Sequence, residues 1–255
     1  MGISDVDNNR ITKRVYLTLQ QLGWFDTCVY TLSKFLSYVS NGKIECYKYQ
    51  LVAQPVPTTP LLPPERGKKI EVLLIHKHDQ IVQEFPRPAA VIEARFEQGA
   101  VCLAAIKEEQ FIGFIWLLLD KGYQEDEVRA HFIPHPAKQA AWDFDVYVAP
   151  DFRFGFAFPR LWDEANKILR NKGVKWSCSR ISAFNRGSME SHARLGSLVM
   201  SDVFFLCAGR WQVTIFSKPP YLHLSTSPKS YPKFNITTEI LENTVSIHQN
   251  NTNVE

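Results

Sequence analysis

Two short stretches of the sequence concentrate residues able to do chemistry. Residues 142–157 read WDFDVYVAPDFRFGFA. A strand pattern ends at Pro150, a short loop carries Arg153 and Gly155, and a helical pattern starts at once. The first N–H groups of a helix have no partner within it, and the helix dipole adds partial positive charge there, so such a junction binds anions. Gly155 and Ala157 are small enough to let the backbone approach a phosphate, and Arg153 adds a fixed cation. A plain strand–helix turn is built from the same residue types, and the stretch alone does not choose between the two. The second stretch holds Asn185, Ser188, His192 and Gly196. Asn185 ends a strand pattern and suits a helix N-cap. The spacing puts its amide, the Ser188 hydroxyl and the His192 imidazole along one helix face. An N-cap followed by a surface histidine is the plainer reading. Asp143 and Asp145 place two carboxylates just ahead of the first loop.

The elements that must position these residues follow from periodicity. Val15, Leu22, Val29 and Leu36 recur every seven residues, with Phe25, Leu32 and Val39 as a second row, which predicts a helix over 15–39. Gly23 interrupts it and Asn41-Gly42 ends it. Residues 1–10 are polar and read as disordered. Ile44–Val56 reads as a strand, and the prolines of 55–68, with Arg66, Lys68 and Lys69, as a linker or an extended surface connection. Glu71–Ile75 is a short strand, and Phe85-Pro-Arg-Pro88 breaks the chain. Ala100–Lys107 and Phe111–Leu119 predict a hairpin, Val128–Ile133 extends it, and Asp143–Val148 is a further strand. Phe158–Asn171 is helical, with Leu161, Ala165, Ile168 and Leu169 on one face and Gly173 closing it. Val174–Phe184 is a strand, Ser188–Leu195 a short helix, and Val203–Ala208 with Arg210–Phe216 a hairpin turning at Gly209. Beyond Ser217 the chain reads as extended, and from Asn243 as disordered.

Taken together, the two stretches resemble the GNAT superfamily of acyl-CoA N-acyltransferases. In that family a strand ending V-x-P-x-(Y/F)-R leads into a pyrophosphate-binding loop and helix. A later strand leads to N-x-x-S/A-x-x-x-(Y/H)-x-x-x-G. The matching residues are Val148, Pro150, Phe152 and Arg153, then Asn185, Ser188, His192 and Gly196. The resemblance covers about residues 70–216 and is specific over 142–196. The loop departs from the family's Q/R-x-x-G-x-G/A: one residue, not two, separates Arg153 from Gly155, and Phe154, Phe156 and Phe158 make it apolar. The family's usual L-G-F is Leu195-Gly196-Ser197, and the strand position often held by Glu is Phe144.

The resemblance implies an α/β fold: a mixed, mostly antiparallel central sheet with a splayed parallel strand pair, flanked by helices, plus an N-terminal helical extension. It implies a catalytic region over 70–217, preceded by a helix, strand and Pro-rich connection (1–69) and followed by an extended to disordered tail (218–255). The implied activity is direct transfer of an acyl group, acetyl above all, from acetyl-CoA or another acyl-CoA to an amine of a small molecule or peptide. Val146 and Val148 would meet pantetheine through their backbone. Arg153, Phe154, Gly155, Phe156, Ala157, Asn185 and Ser188 would complete coenzyme binding. His192 would protonate the departing thiolate, and Asp145 would be the base. A degenerate acyl-CoA-binding module and an acyltransferase using a longer acyl donor remain alternatives.

Composition bounds these readings. Of 255 residues, 45% are hydrophobic and 22% charged, which is globular composition and excludes a collagen-like or disordered chain. A net charge of +3 is too small to imply nucleic acid. The five cysteines are odd in number and show no CxxC spacing, so disulfides and metal clusters are not expected and a cytoplasmic setting is. His76, His78, His131 and His135 lack the carboxylate or cysteine spacing of a metal site, so no metal is expected. The N-terminus does not read as a secretory signal, and the longest apolar run, Phe111–Leu119, falls short of the ~20 residues of a membrane span. Trp142, Trp162, Trp176 and Trp211 read as core. For the stripe over 15–39 three roles stay open: packing on its own domain, a homodimer or partner contact, and lying on a membrane surface.

Overall fold

The computed structural model describes residues 4–119, 121–125 and 127–241, with residues 4–18 described through their backbone. In chain order the elements are α1 (Ser4–Val39), β1 (Ile44–Pro55), β2 (Ile70–Ile75), α2 (Ala89–Glu97), β3 (Val101–Lys107), β4 (Gln110–Leu118), β5 (Tyr123–Glu125) and β6 (Ala130–His135). There follow β7 (Ala140–Val148), α3 (Ala157–Asn171), β8 (Trp176–Ser182), α4 (Arg186–Arg194), β9 (Leu198–Ala208), β10 (Trp211–Phe216), β11 (Leu222–Ser225) and β12 (Lys233–Thr237). The fold is mixed α/β. Two compact units gather segments distant in sequence: Met1–Val52 with Glu125–Ala130 and Arg180–Pro232, and Ala53–Gln124 with His131–Ser179 and Lys233–Glu255.

The second unit carries the strand order β8–β7–β4–β3–β2. Neighbours are antiparallel except β7 and β8, which run parallel. The β3–β4 hairpin turns on Glu108 and Glu109, both at positive φ (52° and 65°), the twist that matches a two-residue connection between right-twisted strands. α3 lays Leu161, Trp162, Ala165 and Leu169 on the sheet and packs against β2, β3, β4 and β7. Each such side chain contributes about 1.5–3 kcal/mol by leaving water. On the unit's other aromatic cluster, Phe85 meets Phe111 and Phe114 at ring distances of 5.0 and 4.9 Å.

The Pro-rich segment is an ordered strap. Val56 N–H donates to the Lys175 carbonyl, and Leu61 and Leu62 N–H donate to the buried carboxylate of Asp163 (2.6 and 3.3 Å). Arg170 closes on the Pro57 carbonyl at 2.6 Å. A small second sheet, β12–β6–β5, sets β12 parallel to β6 from Lys233↔His131 to Thr237↔His135. The chain beyond Ser217 thus supplies two strands, and the expectation of disorder from Asn243 lies outside the described residues.

The first unit has the order β11–β10–β9–β1. β9 and β10 form the expected hairpin at Gly209. α1 breaks at Gly23 (φ 77°, ψ 170°), as the sequence suggested. Two expectations need correction here and one in the other unit, where β6, foreseen over 128–133 as an extension of the β3–β4 hairpin, joins the small second sheet instead. Residues 4–10 are helical backbone, not disordered: the helix begins ahead of its apolar stripe. Trp211 is half exposed, because β10 presents it on the opposite face from buried Gln212 and Thr214.

Candidate active site

The chemistry-bearing part of the second unit starts where β7 and β8 part. Their parallel pairing runs from Ala140↔Trp176 to Trp142↔Cys178. β7 then continues to Val148, and among the described residues that edge has no further strand partner. Its backbone N–H and C=O groups on this side carry no ladder bond and can meet a ligand, with the Val148 carbonyl already accepting one bond from Arg153. On its other edge β7 pairs with β4, with a register shift between Phe114 and Trp116 that accommodates Asp145 at φ 47°. A bulge of this kind bends a strand and re-aims its side chains. The two backbones run so close here that a Cβ on Gly113 would lie 2.5 Å from the Tyr147 carbonyl oxygen, so only glycine fits.

Asp145 is not left to itself. Both of its carboxylate oxygens accept from Arg87, through Nη2 and through Nε at 2.7 Å, and Arg95 Nη1 donates to it at 2.6 Å. The Arg95 guanidinium in turn lies 5.4 Å from the ring centres of Trp116 and Phe144. Arg87 also borders a cavity of about 360 Å³, whose apolar wall is Phe85, Ile92 and Phe96 and whose rim carries Lys77 and Glu93. Two residues earlier, Asp143 is 1% exposed and accepts from the Ser177 hydroxyl at 2.6 Å. Burial outweighs that hydrogen bond and pushes its carboxyl up to about 7.

Past Val148 the chain makes a tight turn at Pro150–Phe152. Arg153 Nε donates to the Val148 carbonyl at 3.2 Å, Gly155 N–H to the Phe152 carbonyl at 3.1 Å, and α3 begins at buried Ala157. Phe154 is fully exposed. Gly67 of the strap sits on this junction: a Cβ there would lie 2.8 Å from Arg160 Cγ and 3.2 Å from Phe156 Cβ, and its φ is 70°. The fit brings the Arg66–Lys69 turn to the start of α3, with the Arg66 guanidinium 5.8 Å from the Phe156 ring centre. Lys107 lies 5.5 Å from the Phe152 ring centre. The junction is thus ringed by cations from three segments.

The first unit holds the other stretch. The Asn185 side chain accepts from Ser188 N–H at 3.1 Å, the predicted N-cap of α4. Ser188 is half buried and His192 is 4% exposed. Burial pushes the His192 imidazole down to about 4, so the ring is neutral at neutral pH.

No protein-family model and no curated protein matches the chain. Solved structures match at low identity. The chain is similar to a functionally unknown conserved protein from Staphylococcus epidermidis, at 9% identity over 69% of this chain and 67% of that one, with a TM-score of 0.46. It is similar to a tandem GNAT protein from the clavulanic acid biosynthesis pathway, at 14% identity over 68% of this chain and 57% of that one, TM-score 0.45. An acetyltransferase from Trypanosoma brucei aligns at 16% identity over 50% of this chain and 91% of that one, TM-score 0.34.

Asp145, Val146, Val148 and residues 153–157 therefore lie together in one unit, and Asn185, Ser188 and His192 on one helix of the other. Sequence reasoning did not find Arg87 and Arg95 as partners of Asp145, nor the Arg66–Lys69 turn as a neighbour of the loop. Only the Arg66, Lys68 and Lys69 cluster left a signal, a run of cations inside a Pro-rich stretch. For His192 the expected result of substitution by Phe is a lower melting temperature, as fits a buried neutral ring. An unchanged melting temperature, read by scanning calorimetry, would show that the packing of α4 does not depend on the ring.

Proposed function

We propose that the chain is a CoA-dependent N-acyltransferase of the GNAT type, acting by direct transfer from an acyl-CoA, acetyl-CoA in the first instance, to a primary amine. One observation carries this reading. The strand edge left open beyond Trp142 runs straight into a cation-ringed helix start. An extended pantetheine arm can pair with such an edge, at Val146 and Val148, while its pyrophosphate meets the first turn of α3 and Arg153. The cavity beside Arg87 suits an amine with an apolar body.

In the step itself, the amine nitrogen attacks the thioester carbonyl, the C–N bond forms, and the C–S bond breaks from the tetrahedral intermediate. The proton leaving the ammonium goes to a base and the CoA thiolate takes one up from water. Asp145, gripped by two guanidiniums, holds the bulge that shapes the strand. Asp143 has the proton affinity of a base near neutral pH. A second reading, a module that binds acyl-CoA without turnover, is favoured by the burial of Asp143 and His192.

Titration calorimetry with CoA tests the binding half. Arg153→Ala and Arg66→Ala are each expected to weaken CoA about tenfold, the scale of one charge-assisted hydrogen bond. Unchanged dissociation constants for both would sink the assignment. Thiol release from acetyl-CoA across a panel of amines separates the enzyme from the binding module, and repeating it with longer acyl chains tests the donor.

A further inference from the structure

We propose that the first unit docks through an apolar face onto an anionic lipid bilayer, lying on its surface without crossing it. Among the described residues no helix is long and apolar enough to span a membrane.

The face begins on α1. Past the break at Gly23, the helix turns its polar contacts inward: Asp26 pairs with Lys48 of β1 at 2.5 Å, and the Ser33 hydroxyl donates to the Cys46 carbonyl. Its outward side is the apolar one. Trp24 is 74% exposed and Tyr38 86%, with Phe25, Leu32 and Phe35 exposed between them. Of the two sequence rows, Leu22, Val29 and Leu36 are half-covered, and Phe25, Leu32 and Val39 are not.

The sheet beside it is inverted in the same sense. β10 buries Gln212 and Thr214 and exposes Trp211 and Ile215. The register places Ile215 against Phe204 of β9 and Leu222 of β11, and Val213 against Leu224, so these side chains share one face. Leu222 and Leu224 are exposed on it. That face and α1 lie on the same side of the sheet. Lys48, which reaches Asp26 of α1, and Gln50 alternate onto one side of β1; Gln50 donates to Asp202, which shares its side of β9 with Phe204. A half-solvated antiparallel sheet normally points its polar residues at water. Here helix flank and strand face both do the reverse, which marks a surface that is covered in use.

Charge selects the occupant. Of the six carboxylates among the side chains described in this unit, Asp26 pairs with Lys48, Glu125 and Glu127 share Arg180, and Glu190 pairs with Arg186, while Glu45 and Asp202 bond the neutral Tyr47 and Gln50. Six exposed cations have no acidic partner there: Lys34, Lys43, Arg194, Arg210, Lys218 and Lys229. The sequence ahead adds Arg10, Lys13 and Arg14 against Asp5 and Asp7. An apolar, Trp- and Tyr-bearing face on a cationic body complements anionic headgroups over an acyl boundary. A second copy would oppose like charges instead.

The test is vesicle flotation of the full chain, with phosphatidylcholine alone and with equimolar phosphatidylcholine and phosphatidylglycerol. The chain is expected to float with the anionic vesicles at low salt and far less with the neutral ones, its tryptophan emission moving to the blue. Trp24→Ser with Trp211→Ser should cut flotation tenfold or more, and Lys34→Glu or Lys229→Glu about fivefold each. Because these side chains are exposed, circular dichroism and melting temperature should not move, which separates lost docking from lost folding. Absence of flotation on both vesicles would overturn the proposal, as would flotation indifferent to the variants. A doubled sedimentation mass that the tryptophan variant returns to one chain, without vesicle binding, would give the face to a second copy.

Discussion

Replacing Asp145 by asparagine is expected to lower the melting temperature by about ten degrees. The carboxylate is 15% exposed and takes three N–H donors from Arg87 and Arg95. Removing one partner of such a cluster strands the other charges, a loss of ~3–5 kcal/mol, and a chain of this size shifts by ~2–4 °C per kcal/mol. Asparagine isolates the charge: it keeps the shape and, like aspartate, tolerates φ near 47° in the bulge. Scanning calorimetry reads the result. A double variant, Asp145→Asn with Arg87→Met, should recover part of the loss, since the two groups are directly coupled. If Asp145 were instead a free base, the melting temperature would hold and kcat alone would fall.

That network shows where the sequence stops being legible. What rests on local chemistry could be read: the β3–β4 hairpin from two apolar runs, α3 from Leu161, Ala165 and Leu169 with Gly173 behind them, the α4 cap from Asn185 three residues ahead of Ser188. α2 escaped because nine residues behind Phe85-Pro-Arg-Pro88 show too little periodicity, although Pro88 before it and Gly99 after it are its punctuation. The first turns of α1 escaped because Asp and Asn offer the backbone competing hydrogen bonds and read as coil. The grip on Asp145 comes from arginines 50 and 58 residues earlier in the chain, and no local pattern announces a pairing of that range. The basic strap was visible, but its contact with Phe156 and Arg160 depends on a close approach at Gly67 that spacing does not encode.

The pH dependence of stability supplies the second large effect, through Asp143. In the native chain its carboxyl holds a proton up to about 7; in the unfolded chain it releases it near its ordinary 3.8. Between those values the native state binds the extra proton, so stability falls as pH rises, by about 4 kcal/mol once pH exceeds 7. His192 works the other way. Unfolded, it takes a proton below 6.5; native, only below about 4, so its contribution rises with pH across that window, by about 3 kcal/mol. The two nearly offset between pH 4 and 6.5 in the wild-type chain. Asp143→Asn removes the first and leaves the second. The variant is therefore expected to match the wild type near pH 4 and to exceed it by up to about 4 kcal/mol at pH 8, in urea titrations at each pH. Ser177→Ala should act oppositely at pH 8, because the Ser177 hydroxyl stabilises the ionised form. If the proposed acyl transfer uses this carboxyl as its base, the same variant loses turnover while gaining stability. Equal urea midpoints for the wild type and Asp143→Asn at pH 8 would place that carboxyl in water and remove it from the reaction.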